Sequence, residues 1–96
     1  PFSNYAGTYS NELYGNITIV FKNNHLNIHF QNHPNMTAEL DWLGNHSFLC
    51  TYSDPTMGRK VLPFQVQNGK VTGCTLSMAD FVEFTPYEFK KIATAR

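Results

Sequence analysis

A serine attacks a carbonyl only when a neighbouring base takes its proton, so pairs of serine with lysine or histidine are the first chemistry to test. In the Ser-x-x-Lys arrangement the amine stands one helical turn after the hydroxyl. No serine here meets that spacing: Ser3 is followed by Ala6, Ser10 by Leu13, Ser47 by Cys50, Ser53 by Thr56 and Ser77 by Asp80. The Gly-x-Ser-x-Gly elbow is missing too. His25, His29 and His33 are evenly spaced and invite a metal. On a strand, however, residues four apart share a face about 13 Å from each other, whereas zinc needs its ligand atoms about 2.1 Å from one centre. His46 could add a ligand with Glu39 or Asp41, but no spacing favours it. These histidines are expected to face solvent, opposite Leu26, Ile28 and Phe30. Glu39 with Asp41, Asp80 with Val82 and Glu83 with Thr85 put carboxylates on strand faces without the apolar setting that would raise a carboxyl pKa, and read as solvated charges. No catalytic residue, cofactor or metal ligand is therefore assigned.

Two cysteines and the aromatic residues remain, and what they can do depends on the elements that carry them. The chain has 96 residues, enough for one small core. Hydrophobic residues make up 42% and aromatics 15% while charged residues are only 15%, which excludes intrinsic disorder. Seven basic residues balance seven acidic ones, and no basic run is longer than the two residues of Lys90-Lys91. Nucleic acid is thus not an expected partner. No apolar run approaches the roughly 18 residues of a membrane-spanning helix, so membrane insertion by this segment is not expected either. The chain starts at Pro1 rather than Met and is expected to be excised from something longer.

Period-two alternation dominates. Ile17, Ile19 and Phe21, then Asn23-Asn24, then Leu26, Ile28 and Phe30 spell one hairpin; Leu62, Phe64 and Val66 lead through Asn68-Gly69 into Lys70–Leu76 and spell another. Thr37–Trp42 and Ser47–Tyr52 lie between them, joined by Gly44-Asn45, and Asp54–Gly58 is a further turn. Gly7–Ser10, Phe81–Thr85 and, after Pro86, Tyr87–Ile92 supply the ends. The spacing predicts an all-β fold: an antiparallel up-and-down meander of about eight strands that removes its edges by closing into a small barrel over residues 1–96. A barrel of this size can fill its interior with side chains or hold one small ligand, and aromatic filling is expected here.

Cys50 and Cys74 then fall on the fifth and seventh strands. Strands that are next but one put Cα atoms about 10 Å apart, beyond the reach of a disulfide, so two half-buried free thiols are expected. Among the aromatics, Tyr5, Tyr9, Tyr14 and Trp42 are the candidate contacts to a ligand or another domain, because each joins an apolar ring to a hydrogen-bonding tip. The rest are read as core.

Tyr5-Ala6-Gly7-Thr8-Tyr9 with Tyr14-Gly15, Leu40-Asp41-Trp42 followed by Phe48, Phe64-Gln65-Val66, Gly69-Lys70-Val71-Thr72-Gly73 and the closing Phe89-Lys90 occur in that order along nearly the whole chain. This series resembles the domain of unknown function found C-terminal to serine β-lactamase-like and penicillin-binding-protein-like hydrolases. The resemblance implies a lipocalin-like barrel, bacterial and extracytoplasmic, that accompanies an N-terminal catalytic domain of the same protein as a non-catalytic accessory. Its alternative is a binding module for one small apolar ligand. The chain departs from the family at Asp41-Trp42-Leu43-Gly44-Asn45-His46-Ser47-Phe48, where a His-Trp-x-Tyr-Asp-Thr-Phe run is common, so no role attached to that His, Tyr or Asp carries over. Tyr9-Ser10-Asn11 mimics the Tyr-x-Asn of some such hydrolases but sits at a predicted strand end.

Overall fold

Asparagine shapes one whole end of the molecule. In the computed structural model, which describes residues 1–79 and 84–94, the pairs Asn23-Asn24, Asn45-His46 and Asn68-Gly69 each hold both residues at φ between 52° and 76°. Two consecutive left-handed residues make the type I′ turn, whose twist matches that of the strands it joins. Asparagine tolerates this conformation because its short amide bonds locally to the backbone. The middle turn is Asn45-His46, not Gly44-Asn45. Gly44, at φ +97, instead occupies a register shift opposite Ser47, so the glycine serves a bulge and a histidine takes the turn.

These turns link strands β1 (Gly7–Asn11), β2 (Gly15–Lys22), β3 (His25–Phe30), β4 (His33–Gly44), β5 (Ser47–Tyr52), β6 (Arg59–Gln67), β7 (Lys70–Ala79) and β8 (Phe84–Thr94). Every strand pairs antiparallel with its sequence neighbours, and β1 pairs with β8, giving a closed barrel in the order of the chain. The all-β meander read from the spacing is thus the fold. A short 3₁₀ turn, Phe2–Tyr5, precedes it.

Two of the boundaries that differ from the pattern have a clear local cause. β4 begins at His33, ahead of Pro34, rather than at Thr37, because a register shift at His29/Phe30 lets the strand take up the extra residues. This moves His33 off the strand that carries His25 and His29. The last segment is one strand through Pro86 rather than two strands divided by it. Pro86 is opposite Ser77 on β7, and β1 pairs with β8 only from Lys90 onward, so the missing N–H falls where β8 has no second partner. The Ser77 carbonyl accepts a hydrogen bond from the Tyr52 hydroxyl. Residues 81–83 of the expected strand Phe81–Thr85, with Asp80 and Glu83, lie outside the described residues.

The loop after β5 is held by Asp54, whose carboxylate accepts from the Thr56 N–H and hydroxyl while its carbonyl accepts from Met57 N–H. Those bonds hold the Asp54 carboxyl below its usual range.

The interior is filled. Ile17, Ile19, Leu26, Ile28, Leu62 and Leu76 are fully buried together with Tyr9, Phe48, Phe89 and both cysteines, so a ligand on the barrel axis would have to displace packed side chains. Aromatic filling is only part of this core. The rings gather in two clusters, one of Phe2, Tyr5, Tyr9, Trp42, Phe48 and Phe64, the other of Tyr14, Phe30, Tyr52, Tyr87 and Phe89. The other fully buried side chains are aliphatic or thiol.

Cys50 and Cys74 are both free and 0% exposed, on β5 and β7 with β6 between them. Cys50 is opposite Lys60 and Cys74 opposite Phe64, a four-residue offset of about 13 Å along β6. The thiols are more buried than expected because both join the inward rows. Burial pushes Cys50 up to about 12 and raises Cys74 as well. We expect neither thiol to react with iodoacetamide at pH 8 in the native protein and both to react in 6 M guanidinium; labelling of one under native conditions would contradict this packing. As pH rises past the ordinary thiol range the unfolded chain loses its protons first, so the native state binds more protons. Stability should then fall with pH between about 9 and 12, by at most about 1.4 kcal/mol per pH unit for each thiol. Urea midpoints measured across that range check the sign.

Candidate functional site

Trp42 follows Leu40 and Asp41 on β4 and is opposite the buried Phe48, which puts its indole on the inward row at the barrel rim. It remains 46% exposed there. The 3₁₀ turn folds over the same rim. Phe2 packs against Trp42 and Phe48 with ring centroids 5.7 Å away in each case. Tyr5 enters more deeply: its ring meets Phe48 at 5.0 Å and 78° and Phe64 at 4.9 Å and 65°. These edge-to-face geometries suit the aromatic quadrupole.

The polar tip of Tyr5 is also placed. Its hydroxyl is hydrogen-bonded to His46 Nδ1 at 2.6 Å; in the neutral imidazole that carries its proton on Nε2, the hydroxyl is the donor. The type I′ turn holds His46 at φ 59°, above the rim, where its ring lies 6.1 Å from that of Tyr5. Below, the Tyr9 hydroxyl donates to the Tyr5 carbonyl at 2.6 Å. Lys91 Nζ donates to the Asn4 carbonyl at 2.9 Å and sits 5.9 Å from the Tyr9 ring centre. Burial raises the pKa of Tyr5 and of Tyr9, and lowers that of Lys91.

The four aromatic residues singled out from the sequence therefore separate. Tyr5 and Trp42 meet at one rim, 6.2 Å between ring centres. Tyr9 is in the core with no exposed surface, so a contact role for it would require the 3₁₀ turn to move. Tyr14 is at the opposite end, packed on His33 and Tyr87; the five residues of β1 carry the chain about 17 Å away from Tyr5. Tyr9-Ser10-Asn11 is structural: Asn11 Oδ1 accepts from the N–H groups of Leu13 and Tyr14, and its Nδ2 donates to the Glu88 carbonyl. His25, His29, Glu39 and Asp41 are exposed on the outer face. Among the described residues no group of three or more His, Cys, Asp or Glu side chains converges on one point.

Sequence reasoning missed Phe2 and the pairing of Tyr5 with His46, which are 41 residues apart. No periodicity marks a four-residue 3₁₀ turn. It also missed the apolar surface beside the rim: Leu43 is 53% and Val61 55% exposed, and Val61 flanks Leu49 on the outer face. Elsewhere on the outer surface, a groove of about 750 Å³ with mixed polar and apolar walls lies beside Gly73, lined by Ser10, Leu13, Gln65, Thr72, Glu88 and Phe89 among others.

Two glycines of the sequence motifs have a common task. A Cβ at Gly7 would overlap the Ala93 carbonyl oxygen, and one at Gly73 would overlap that of Phe89. β8 thus presses its backbone onto a glycine on each flank, which explains physically why Tyr-x-Gly-x-Tyr and Gly-Lys-Val-x-Gly carry glycine there. Comparison with curated proteins and with solved structures returned no match. A family model, in contrast, matches residues 1–91, and its pattern runs from the 3₁₀ turn into the closing strand; the chain belongs to the family described as domain of unknown function (DUF3471).

Proposed function

We propose that the barrel is a non-catalytic accessory domain of a serine β-lactamase-like or penicillin-binding-protein-like hydrolase, and that it docks on the catalytic domain through the rim that carries Trp42. The supporting observation is the apolar surface of that end, where Phe2, Trp42, Leu43 and Val61 are each between 37% and 55% exposed. Large apolar side chains concentrated on one part of a small domain favour a protein partner. Balanced charge suits docking without a strong electrostatic field. The Tyr9, Tyr52 and Asn11 side chains are engaged with backbone groups, which supports a structural rather than a chemical use of them. An extracytoplasmic setting belongs to the same reading.

The test uses the longer protein that contains this chain. Removing residues 1–96, or replacing Trp42 and Leu43 together by Asp, should lower the melting temperature of the catalytic part by several degrees or change its hydrolase activity several-fold. Activity and melting temperature both unchanged in the two variants would defeat the proposal.

A further inference from the structure

The rim of the barrel is a ring-binding cup that the chain fills with its own tyrosine. We propose that the 3₁₀ turn is an exchangeable plug, and that the cup beneath it takes the phenol ring of a ligand when the plug lifts. The proposal does not depend on the accessory role.

Recognition is already displayed by Tyr5. Phe48 and Phe64 meet the faces and edges of its ring at about right angles, and Trp42 closes a third side. His46 Nδ1 takes the hydroxyl at 2.6 Å. An apolar wall with one hydrogen-bonding group at its mouth defines a phenol and discriminates against a plain arene. The wall rests on the barrel strands, whereas the occupant rests on a short segment. Residues 1–4 of that segment are all exposed. Besides its rings, the segment is tied by the Tyr5–His46 bond, by Lys91 on the Asn4 carbonyl and by the Tyr9 hydroxyl on the Tyr5 carbonyl. Its internal bonds are two, Asn4 N–H to the Pro1 carbonyl and Ala6 N–H to the Ser3 carbonyl. The Lys91 tie is at the surface and the Tyr5–His46 bond is part-buried at the rim; a phenol arriving in the cup replaces the ring contacts and the His46 bond in kind. What exchanges is one phenol for another.

An internal occupant lowers apparent affinity by the fraction of molecules in which the cup is free. The wild-type chain should therefore bind p-cresol weakly, read by Trp42 fluorescence, and Tyr5→Ala should bind it at least tenfold more tightly. In the wild type, p-cresol should speed hydrogen exchange at the amides of Asn4 and Ala6 while leaving β5 unchanged. In Tyr5→Ala, toluene should bind about 2- to 10-fold more weakly than p-cresol, for want of the hydroxyl. His46→Gly in that background, which keeps the left-handed turn, should abolish the difference. A stronger response to N-acetyltyrosinamide than to p-cresol would assign the ring to a tyrosine-bearing peptide, the reverse to a free phenol. Should Tyr5→Ala not fold, Phe2→Ala loosens the same plug and leaves the His46 side of the cup intact; it should tighten p-cresol binding in the same direction. Affinity for p-cresol no higher in the folded variant than in the wild type would overturn the proposal.

Discussion

Gly7→Ala is expected to destabilise the barrel by about 3 kcal/mol or more, enough in a domain of this size to lower the melting temperature by roughly 12–24 °C. Two independent penalties meet at this position. The backbone is at φ +150°, where side chains other than glycine are rarely found. The new methyl would also run into the Ala93 carbonyl, with the Lys91 Cε only 2.8 Å away. The lysine tail can swing aside, but the carbonyl belongs to the β1–β8 ladder, where Gly7 is opposite Thr94 and Thr8 opposite Ala93. Relief requires the two strands to part at the point where the sheet closes.

Two further glycines separate the penalties. Gly73 has ordinary φ, so Gly73→Ala meets only the Phe89 carbonyl and should cost about 2–3 kcal/mol. Gly69 is at φ +76° with nothing within 4 Å of a new Cβ, so Gly69→Ala should cost only the left-handed strain, about 1 kcal/mol. Thermal unfolding of the three variants should rank them Gly7, Gly73, Gly69 in decreasing loss. A Gly7→Ala protein as stable as Gly69→Ala would remove the steric explanation of the seam.

Phe48→Ala carries the second large effect, a loss of about 3–5 kcal/mol. The ring is 0% exposed and touches four others: Phe2, Tyr5, Trp42 and Phe64. Its removal takes away the transfer free energy of a buried benzyl group, and it leaves a hole whose walls are anchored on β4, β6 and the 3₁₀ turn. Only the turn and the Trp42 indole can move in to fill it. Chemical denaturation should show an unchanged m value with a lowered midpoint, since the same surface is exposed on unfolding. Phe21→Ala is the control: that ring is 37% exposed at a strand end and should cost only about 1 kcal/mol. Equal losses for the two would mean that the rim cluster contributes nothing beyond generic burial.

Where local chemistry decides the structure, the sequence is legible. The hairpin through Asn23-Asn24 follows from alternation plus two residues suited to positive φ, and His25–Phe30 has the bounds that the alternation predicts. Closure of eight strands follows from short connections, and the free thiols follow from counting strands between Cys50 and Cys74. Reading failed where two local signals competed. Gly44 beside Asn45 looks like the turn, but the bulge claims the glycine and leaves His46 to adopt φ 59°. Pro86 looks like a strand limit, yet it is accommodated on an unpaired flank, and β4 begins four residues before the alternation at Thr37 because a register shift admits His33 and Pro34. The site was legible only in part: Tyr5 and Trp42 were named from residue type. Their convergence with Phe2 and His46 is tertiary, produced by a turn that folds back over a barrel whose far strands supply the walls.

The closing seam has a topological consequence. Gly7 and Thr94 are register partners, so the chain enters and leaves the barrel at neighbouring points on one rim. A domain with adjacent entry and exit can be spliced into a surface loop of a host protein without stretching it, and its ends can be joined by a short linker with new termini cut elsewhere. The three asparagine turns share that rim, whereas the loop at residues 53–58 is at the other end. Cutting there would yield a circular permutant in which β8 and β1 become a hairpin, and the strand pair that now closes last in sequence would become one of the most local contacts in the fold.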